Sequence, residues 1–370
     1  MQTLAKTSLK VTGGTLLGGA AFTTYYYPEL RKEPKQLVGA MVRGLRCIKA
    51  GTMMASDYIR AGNDICSDTH YKAAGRLFDM FCANGGPYIK LGQMFGQLEA
   101  LVPPEYIKTF EPMCMRAPTT DFVDVRRIVE EESGCKLEDL FSYFEEKPIA
   151  SASLGQVHKA RLRKTGEIVA VKVQHRWIKE NVNGDLQMIQ FGVDIAKAIF
   201  PDFRYGWLAD EFKTRLPREL DFVIEADNAK RCARIFKDKP KVSVPKVYDE
   251  YTRPRMLVMS YETGFSVARV KEMHNQGFDL KHLAQLISEV FVHMIFKEGF
   301  IHADPHPGNL FVRKTGKGAR DIELVILDHG IYTDLPKDTR LSYAKLWRGV
   351  LAQDEALVKE ASSDLGCDFH

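Results

Sequence analysis

Two stretches near the carboxyl end of the chain constrain its fold and chemistry more than any other feature. They are residues 299–309 (GFIHADPHPGN) and 324–330 (LVILDHG). Asn309 follows Asp304 by five positions, and Asp328 stands at the end of an apolar run that predicts a buried strand. Carboxylate and amide oxygens are the ligands that Mg²⁺ takes in proteins. The pattern therefore indicates a metal-binding centre built from two separate motifs.

The order and spacing of these residues resemble the protein-kinase signature H-R-D-L-x-x-x-N followed by D-F-G. Phosphoryl transfer needs oxygen ligands for Mg²⁺ and a carboxylate that faces the incoming hydroxyl. We therefore predict Asn309 and Asp328 as metal ligands and Asp304 as the catalytic carboxylate. Two alternatives are that His302 and His306 form a metal-binding pair, or that Asp304 only caps a helix.

A lysine within an apolar strand precedes these motifs at residues 167–173 (EIVAVKV). In kinases, the lysine of the corresponding strand holds the α and β phosphates and pairs with a glutamate on the next helix. Lys172 fits this role, and we predict Glu225 as its partner. The alternatives are that Lys172 extends to solvent from an edge strand and that Glu225 belongs to an ordinary acidic helix face.

The loop predicted to cover the phosphates carries alanine and serine where kinases have glycine. Each Cβ narrows the conformations open to the backbone, which predicts a stiffer loop and an altered nucleotide preference. We predict nucleotide contacts from Ala150, Ser151, Ala152 and Ser153, and from Met259 on a later strand.

Residues 150–158, 219–225 and 302–309, together with a K-x-G-Q segment at 90–93, resemble the UbiB/aarF-domain family of atypical kinases, which is linked to coenzyme Q. Periodicity alone would assign residues 88–98 to a core helix. In the family this lysine crosses the place of a peptide substrate and meets an E-x-D pair. The resemblance therefore implies regulatory roles for four residues: Lys90, Gln93, Glu219 and Asp221.

The D-H-G sequence at 328–330 departs from the commonest family pattern, which has phenylalanine in place of His329. This form is most similar to a mitochondrial branch of the family that is tied to lipid handling and membrane shape. The resemblance implies that Asp328 keeps its role as a metal ligand. It does not say whether His329 takes over the packing role that the phenylalanine has in other members.

The predicted fold class is α+β, a protein-kinase-like fold of two lobes with a helical N-terminal extension. We predict four regions: a targeting or anchor segment (1–35), the helical extension with the K-x-G-Q motif (36–145), a small lobe with a helical insertion (146–264) and a large lobe (265–370).

Local patterns make this division more specific. Residues 35–145 show helical periodicity and no strand signal. Residues 153–174 predict a hairpin that turns at Gly166. Pro217 suits the first turn of a helix, and residues 280–298 predict one amphipathic helix between an Asp279 cap and the stop at Gly299.

Charge and cysteines exclude two classes of function. The 52 basic and 48 acidic residues are spread evenly, with a net charge of +4, so the chain lacks the basic patch of a nucleic-acid-binding protein. The seven cysteines form no C-x-x-C pair, which favours free thiols over a zinc site.

The amino-terminal residues indicate targeting. Residues 11–28 carry no charge, but they contain four glycines, which makes a membrane-spanning helix marginal. A secretory signal or a cleaved mitochondrial presequence fits this run almost as well as a membrane helix does. We predict a mitochondrial address and association with the inner membrane.

The implied cofactors are ATP or ADP and Mg²⁺, and the implied partners are a nucleotide and membrane lipids or lipid-pathway proteins. We expect an Mg-dependent ATPase, or a kinase of lipids or other small molecules, in mitochondrial lipid or coenzyme Q homeostasis. A nucleotide-binding pseudokinase scaffold is the next hypothesis. A protein kinase ranks last, because only forty residues follow Gly330 and they contain no A-P-E sequence. Family members run further, so we also expect that this chain is incomplete.

Overall fold

The computed structural model describes residues 34–98, 102–114, 119–199 and 205–367. The uncharged run at 11–28 lies outside these residues. None of the helices within the described ranges has the length and apolar character needed to cross a bilayer. The chain divides into two compact units. The first contains residues up to Leu137, Glu145–His158 and Lys172–Leu220; the second contains Glu138–Phe144, Lys159–Val171 and the chain from Asp221 onward.

The first unit is mainly helical. Its helices are α1 (Pro34–Ala61), α2 (Ser67–Asn84), α3 (Pro87–Gln97), α4 (Pro104–Cys114), α5 (Phe122–Ser133), α7 (Arg176–Ile199) and α8 (Gly206–Glu219). A short helix, α6 (Leu137–Leu140), begins at the last residue of this unit. Apolar side chains at helical spacing form one core that includes Phe81, Tyr88, Phe110 and Phe212. Gly85 and Gly86, both with positive φ, separate α2 from α3.

A buried ion pair fixes α1 to α7. Asp185 is fully buried, and both of its carboxylate oxygens accept hydrogen bonds from the Arg43 guanidinium. A third nitrogen of Arg43 donates to the carbonyl of Asn84 at the end of α2. Because a bidentate guanidinium–carboxylate pair has a defined geometry, this contact sets the register of three helices.

The main sheet contains β1 (Phe141–Phe144), β2 (Ala150–Ser151), β3 (Gly155–Leu162), β4 (Ile168–Gln174) and β6 (Met256–Ser260). The strand order is β1-β3-β4-β6, and β2 pairs with β3. The predicted hairpin forms between β3 and β4, where Gly166 has a φ of 75° and Leu162 donates to the carbonyl of Glu167.

The second unit places its functional loops between short strands and helices. Its helices are α9 (Phe222–Ile235), α10 (Val270–Asn275), α11 (Leu280–Val292), a π-helix (His293–Glu298), a 3₁₀-helix (Pro307–Asn309), α12 (Lys337–Ala352) and α13 (Glu355–Asp364). Strands β5 (Val242–Ser243), β7 (Phe265–Ser266), β9 (Leu310–Lys314) and β10 (Ile322–Ile326) form a sheet in the order β5-β10-β9-β7. Strands β8 (Phe300–His302) and β11 (Tyr332–Asp334) form a separate pair.

Three local predictions are wrong. Residues 35–145 are not entirely helical, because Phe141–Phe144 forms a strand that pairs with β3. Three of the four residues in this strand are aromatic, which favours a strand, and Phe141 is buried. Pro217 lies at the end of α8 and not in a first turn, because the next helix begins only after Asp221. The helix at 280–298 changes to π geometry from His293. The caps at Asp279 and Gly299 are confirmed. The four predicted regions stay a prediction.

Candidate functional site

Strand pairing in the second unit brings the two predicted metal ligands to one edge. In the antiparallel pair of β9 and β10, Leu310 faces Ile326. Asn309 therefore precedes one strand at the same edge where Asp328 follows the other. The amide of Leu327 donates to the carbonyl of Asn309 at 2.9 Å and closes this edge. The side chains of Asn309 and Asp328 fit the predicted Mg²⁺ ion, since an amide and a carboxylate both offer oxygen ligands.

His302 joins the loop of Asp304 to the segment of Asp328. Its Nε2 donates to the carbonyl of Asp328 at 2.8 Å, because a carbonyl can only accept. Its Nδ1 accepts the backbone N–H of Asp304 at 3.1 Å. Both ring nitrogens are engaged, so His302 has none left for the alternative metal pair with His306. The Nδ1 of His306 accepts the Gly308 N–H at 3.0 Å and caps the 3₁₀-helix, which leaves no capping role there for Asp304.

The Asp304 carboxylate is half-buried and hydrogen-bonds to no other residue in the described parts of the chain. Its backbone, in contrast, is held by His302 and by the side chain of Asn309, which donates to the Asp304 carbonyl at 3.4 Å. A fixed backbone with an unengaged carboxylate is the arrangement that a general base or a substrate-orienting group needs.

His329 replaces the expected phenylalanine with a polar anchor. Its ring is 2% exposed, its Nδ1 accepts the Tyr332 hydroxyl at 2.9 Å, and its Nε2 donates to the Ile326 carbonyl at 3.0 Å. The two rings lie nearly parallel, and burial raises the pKa of Tyr332, which keeps the hydroxyl as a donor. The Asp328 carboxylate accepts the Gly330 N–H at 2.8 Å. Hydrogen bonds, in addition to packing, therefore hold this motif.

Helix α9 presents two polar residues to the D-H-G motif. The buried carboxylate of Glu225 lies 3.8 Å from the position of a Cβ at Gly330. Asn228, one turn further on, donates to the His329 carbonyl at 3.0 Å. The sequence prediction missed Asn228; its signal is the three-residue spacing from Glu225 on one helix face. The predicted pairing of Glu225 with Lys172 joins residues of different units and stays a prediction.

The loop at 150–155 is a tight hairpin between β2 and β3 in the first unit. Ala150 faces Val157 and Ser151 faces Gln156, while the amide of Ala152 donates to the Gly155 carbonyl at 2.8 Å. A Cβ at Gly155 would lie 2.6 Å from the carbonyl oxygen of Val173. This glycine is therefore required for close approach, and it seats the loop on β4 directly beside Lys172.

The K-x-G-Q segment is accounted for residue by residue within α3. Lys90 forms an ion pair with Glu219 at 2.8 Å, with both side chains largely buried. A Cβ at Gly92 would collide with the sulfur of Met113. Gln93 donates to the Met113 carbonyl at 3.4 Å. The structure thus brings Lys90 together with Glu219, as the resemblance implied.

The remaining predicted site residues have structural contacts of their own. The Asp221 carboxylate accepts the Val223 N–H at 2.9 Å and caps α9. Met259, on β6, packs against a small cluster of Phe222, Ala226 and Leu257. Gln174 follows Lys172 on β4 and donates to the Leu220 carbonyl at 2.9 Å, so this strand is tied to the end of α8 that carries Glu219.

No group of three or more His, Cys, Asp or Glu side chains suited to a metal ion occurs in the part of the chain that the structure describes. An Asn–Asp pair is nevertheless compatible with Mg²⁺, which usually keeps several waters and takes further ligands from phosphates.

Residues 113–362 match the family model of the ABC1 atypical kinase-like domain. The chain therefore belongs to the ABC1/AarF family of atypical kinases, and the predicted family is confirmed.

Similar proteins place the chain among named members of that family. It is 41% identical to AarF domain-containing kinase 1 of Drosophila melanogaster over 81% of its own length and 57% of that protein. It is 35% identical to AarF domain-containing protein kinase 1 of Mus musculus, with 98% of this chain and 70% of that protein aligned. A probable serine/threonine-protein kinase of Dictyostelium discoideum, abkB, is 35% identical over 90% of this chain and 51% of its own length. The chain thus spans little more than half of several curated relatives.

A solved structure shares the fold. A Mycobacterium tuberculosis protein, solved as a complex with erythromycin, superposes with a TM-score of 0.55 at 28% identity and covers 79% of this chain and 72% of its own. The predicted α+β, kinase-like fold with N-terminal helices is confirmed.

Proposed function

We propose that this chain binds a magnesium nucleotide and hydrolyses it or transfers its terminal phosphate to a small or lipid acceptor. The observation that carries the proposal is the edge formed by Asn309 and Asp328, with the backbone of Asp304 tied to the Asp328 segment through His302. Membership of a kinase-like family supports nucleotide binding in general.

Each residue has a role that follows from its chemistry. Mg²⁺, when bound, neutralises charge on the phosphates. Asn309 and Asp328 would hold it through their side-chain oxygens. The Asp304 carboxylate would orient the attacking hydroxyl or water and take its proton. In the first unit, Lys172 and the loop at 150–153 would hold the phosphates.

The ion pair of Lys90 with Glu219 supports a small or lipid acceptor over a peptide. The pair is largely buried. Helix α4 packs against Gly92, which lies on the same helix as Lys90, so the K-x-G-Q segment is a fixed part of the first unit. In the family that the chain resembles, the lysine of this segment crosses the place where a peptide substrate would lie. A mitochondrial, inner-membrane role in lipid or coenzyme Q homeostasis is part of the proposal; its support is the uncharged run at 11–28 and the branch that the D-H-G form resembles.

Phosphate release from Mg-ATP tests the reaction, measured with and without anionic lipid vesicles. We expect release that depends on Mg²⁺, increases with vesicles and is abolished in Asp328→Asn. The matched control is Asp338→Asn, an exposed carboxylate on α12, which should keep wild-type activity. Equal release from Asp328→Asn and the wild type would contradict the proposal.

Carbonate extraction of isolated mitochondria tests the location. We expect this protein in the membrane pellet. Recovery in the supernatant would contradict the anchored form, and absence from mitochondria would contradict the address itself.

A nucleotide-binding scaffold is the second candidate. The observation that favours it is the alanine- and serine-containing loop, which is hydrogen-bonded into one conformation. The same assay separates the two: nucleotide binding without phosphate release, with or without vesicles, would support the scaffold.

A further inference from the structure

Four buried polar side chains of the first unit have no role in the function proposed above. Gln156 is 1% exposed, His158 and His175 are 0% exposed, and Thr120 is 7% exposed. Buried polar groups reduce stability unless they are hydrogen-bonded, so their partners show what the group is built to hold. Gln156 and His175 contact the hairpin loop at 150–155, and Thr120 and His158 contact these two residues.

Gln156 is fixed to the backbone of Thr120 by two hydrogen bonds. The Thr120 N–H donates to Oε1 at 2.7 Å, and Nε2 donates to the Thr120 carbonyl at 2.9 Å. Nε2 also donates to the Nε2 of His158 at 3.0 Å, while the Nδ1 of His158 donates to the Glu145 carbonyl at 2.7 Å. Rotating the amide by half a turn would break the bonds to Thr120, so Gln156 has one allowed orientation.

His175 connects Thr120 to the loop. Its Nε2 donates to the Ala152 carbonyl at 3.0 Å, and its Nδ1 accepts the Thr120 hydroxyl at 2.7 Å. Its backbone N–H donates to the Leu154 carbonyl at 3.0 Å. One residue therefore holds two carbonyls of the loop, and the Thr120 hydroxyl fixes the orientation of its ring.

These contacts determine where the loop N–H groups point. In a trans peptide the C=O and the following N–H are antiparallel. Because the Ala152 carbonyl points at His175, the Ser153 N–H points away from it. Among the residues described, neither the Ser153 nor the Leu154 N–H donates a hydrogen bond. Ser153 is only 8% exposed, so solvent supplies few partners.

We propose that Thr120 is a positioning residue for nucleotide phosphates, which acts through His175 and Gln156 to aim the Ser153 N–H group at them, next to the Leu154 N–H group that also donates no hydrogen bond. Successive N–H groups turned outward from a loop form a site for anions such as phosphate. The inference rests on the proposed nucleotide binding. It extends that binding to Thr120, which precedes α5 and lies outside the family signature motifs.

Two side chains at position 120 test the proposal in the full chain. Thr120→Val removes the hydroxyl and keeps the shape, whereas Thr120→Ser keeps the hydroxyl. If Thr120→Val does not fold, Thr120→Ala takes its place as the variant without the hydroxyl. The ligands are Mg-ADP and adenosine, which has no phosphate. The first measurement is amide hydrogen exchange of peptides covering residues 150–156 and 175 without nucleotide; the second is the Kd for each ligand.

The proposal predicts that Thr120→Val speeds exchange in the loop and raises the Kd for Mg-ADP, each about fivefold, as expected for one lost hydrogen bond. The Kd for adenosine should stay unchanged, and Thr120→Ser should stay within about twofold of the wild type for every value. An equal loss of affinity for Mg-ADP and adenosine would indicate a general structural defect and would overturn the proposal. Unchanged exchange and affinity in Thr120→Val would overturn it as well.

The two measurements separate failure of this proposal from failure of the proposed function. If the wild type binds no Mg-ADP, the proposed function and the phosphate role both fall. If it binds Mg-ADP but Thr120→Val leaves exchange and affinity unchanged, only the role of Thr120 falls.

Discussion

In the second unit, residues close in sequence build the metal-binding edge: His302 and Asp328 lie 26 positions apart, and Asn309 lies between them. In the first unit, the loop at 150–155 is held by residues from separate elements, with Thr120 lying 55 positions before His175. The first arrangement follows from one antiparallel strand pair, whereas the second exists only after several helices have packed. A sequence motif therefore indicates the metal-binding edge directly, and it leaves the support of the phosphate-binding loop hidden.

The largest expected effect is on catalysis in the second unit. Asp304→Asn should lower phosphate release from Mg-ATP by about 10²- to 10⁴-fold, because the amide cannot take the proton of the attacking group. The Kd for Mg-ADP should stay within about threefold, because Asn309 and Asp328 remain. Initial rates and calorimetric titration measure the two quantities. An equal loss of both would show that Asp304 binds and does not catalyse.

The next effect concerns the first unit. Lys90→Ala should lower the free energy of unfolding by about 2–3 kcal/mol, since it removes the cation that pairs with the largely buried Glu219 carboxylate. Urea titration measures the change. Lys72→Ala is the control on α2: its pair with Asp68 is exposed, and its loss should change the free energy of unfolding far less than Lys90→Ala does.

The double variant Lys90→Ala/Glu219→Gln sharpens this result. It should recover part of the lost stability, because the buried negative charge of Glu219 is removed together with its cation. A double variant as unstable as the sum of the single variants would contradict a direct pairing.

A smaller effect should follow from restoring the common kinase sequence in the D-H-G motif. His329→Phe removes two hydrogen bonds and leaves the Tyr332 hydroxyl and the Ile326 carbonyl without them, which should reduce the free energy of unfolding by about 2 kcal/mol. Tyr332→Phe removes the bond to His329 and the contact of the hydroxyl with the Cys232 thiol, but it keeps the His329 bond to the Ile326 carbonyl, so it should cost less than His329→Phe. A His329→Phe protein at least as stable as the wild type would show that packing alone holds the motif.

The smallest effect is the dependence of stability on pH. Burial lowers the pKa of His158 and of His175, against the opposing effect of their hydrogen bonds to backbone carbonyls. The folded state therefore favours the neutral rings, and below about pH 6.5 the unfolded chain binds more protons. The contribution of these rings to stability should be complete above that pH and should fall as the pH decreases towards the lowered folded pKa values.

Unfolding titrations at pH 7.5 and pH 5.5 measure this dependence, and His158→Gln should reduce the difference between them. Burial also lowers the pKa of His293 in the second unit, so His293→Gln is the matched comparison. If His158→Gln leaves the difference in stability between the two pH values unchanged, His158 is not a source of the acid sensitivity.

Sequence patterns predicted the local features that depend on few residues. The Asp279 cap, the positive-φ stop at Gly299 and the turn at Gly166 all follow from single-residue preferences. Phe141–Phe144 was missed because a four-residue strand gives too short a period to recognise beside a helix. The hydrogen bonds of Thr120 and Asn228 were missed because an uncharged polar residue in one segment carries no signal of its partner in another.

Calorimetric titration of the wild type and Asp328→Asn with ADP, in the presence of Mg²⁺ and of EDTA, tests the central claim most directly. We predict that the wild type binds ADP with Mg²⁺, and that EDTA and the Asp328→Asn substitution each weaken binding by about tenfold or more, because one removes the ion and the other removes its carboxylate ligand. Equal affinity in all cases, or no binding by the wild type, would contradict a magnesium-nucleotide site built on Asn309 and Asp328.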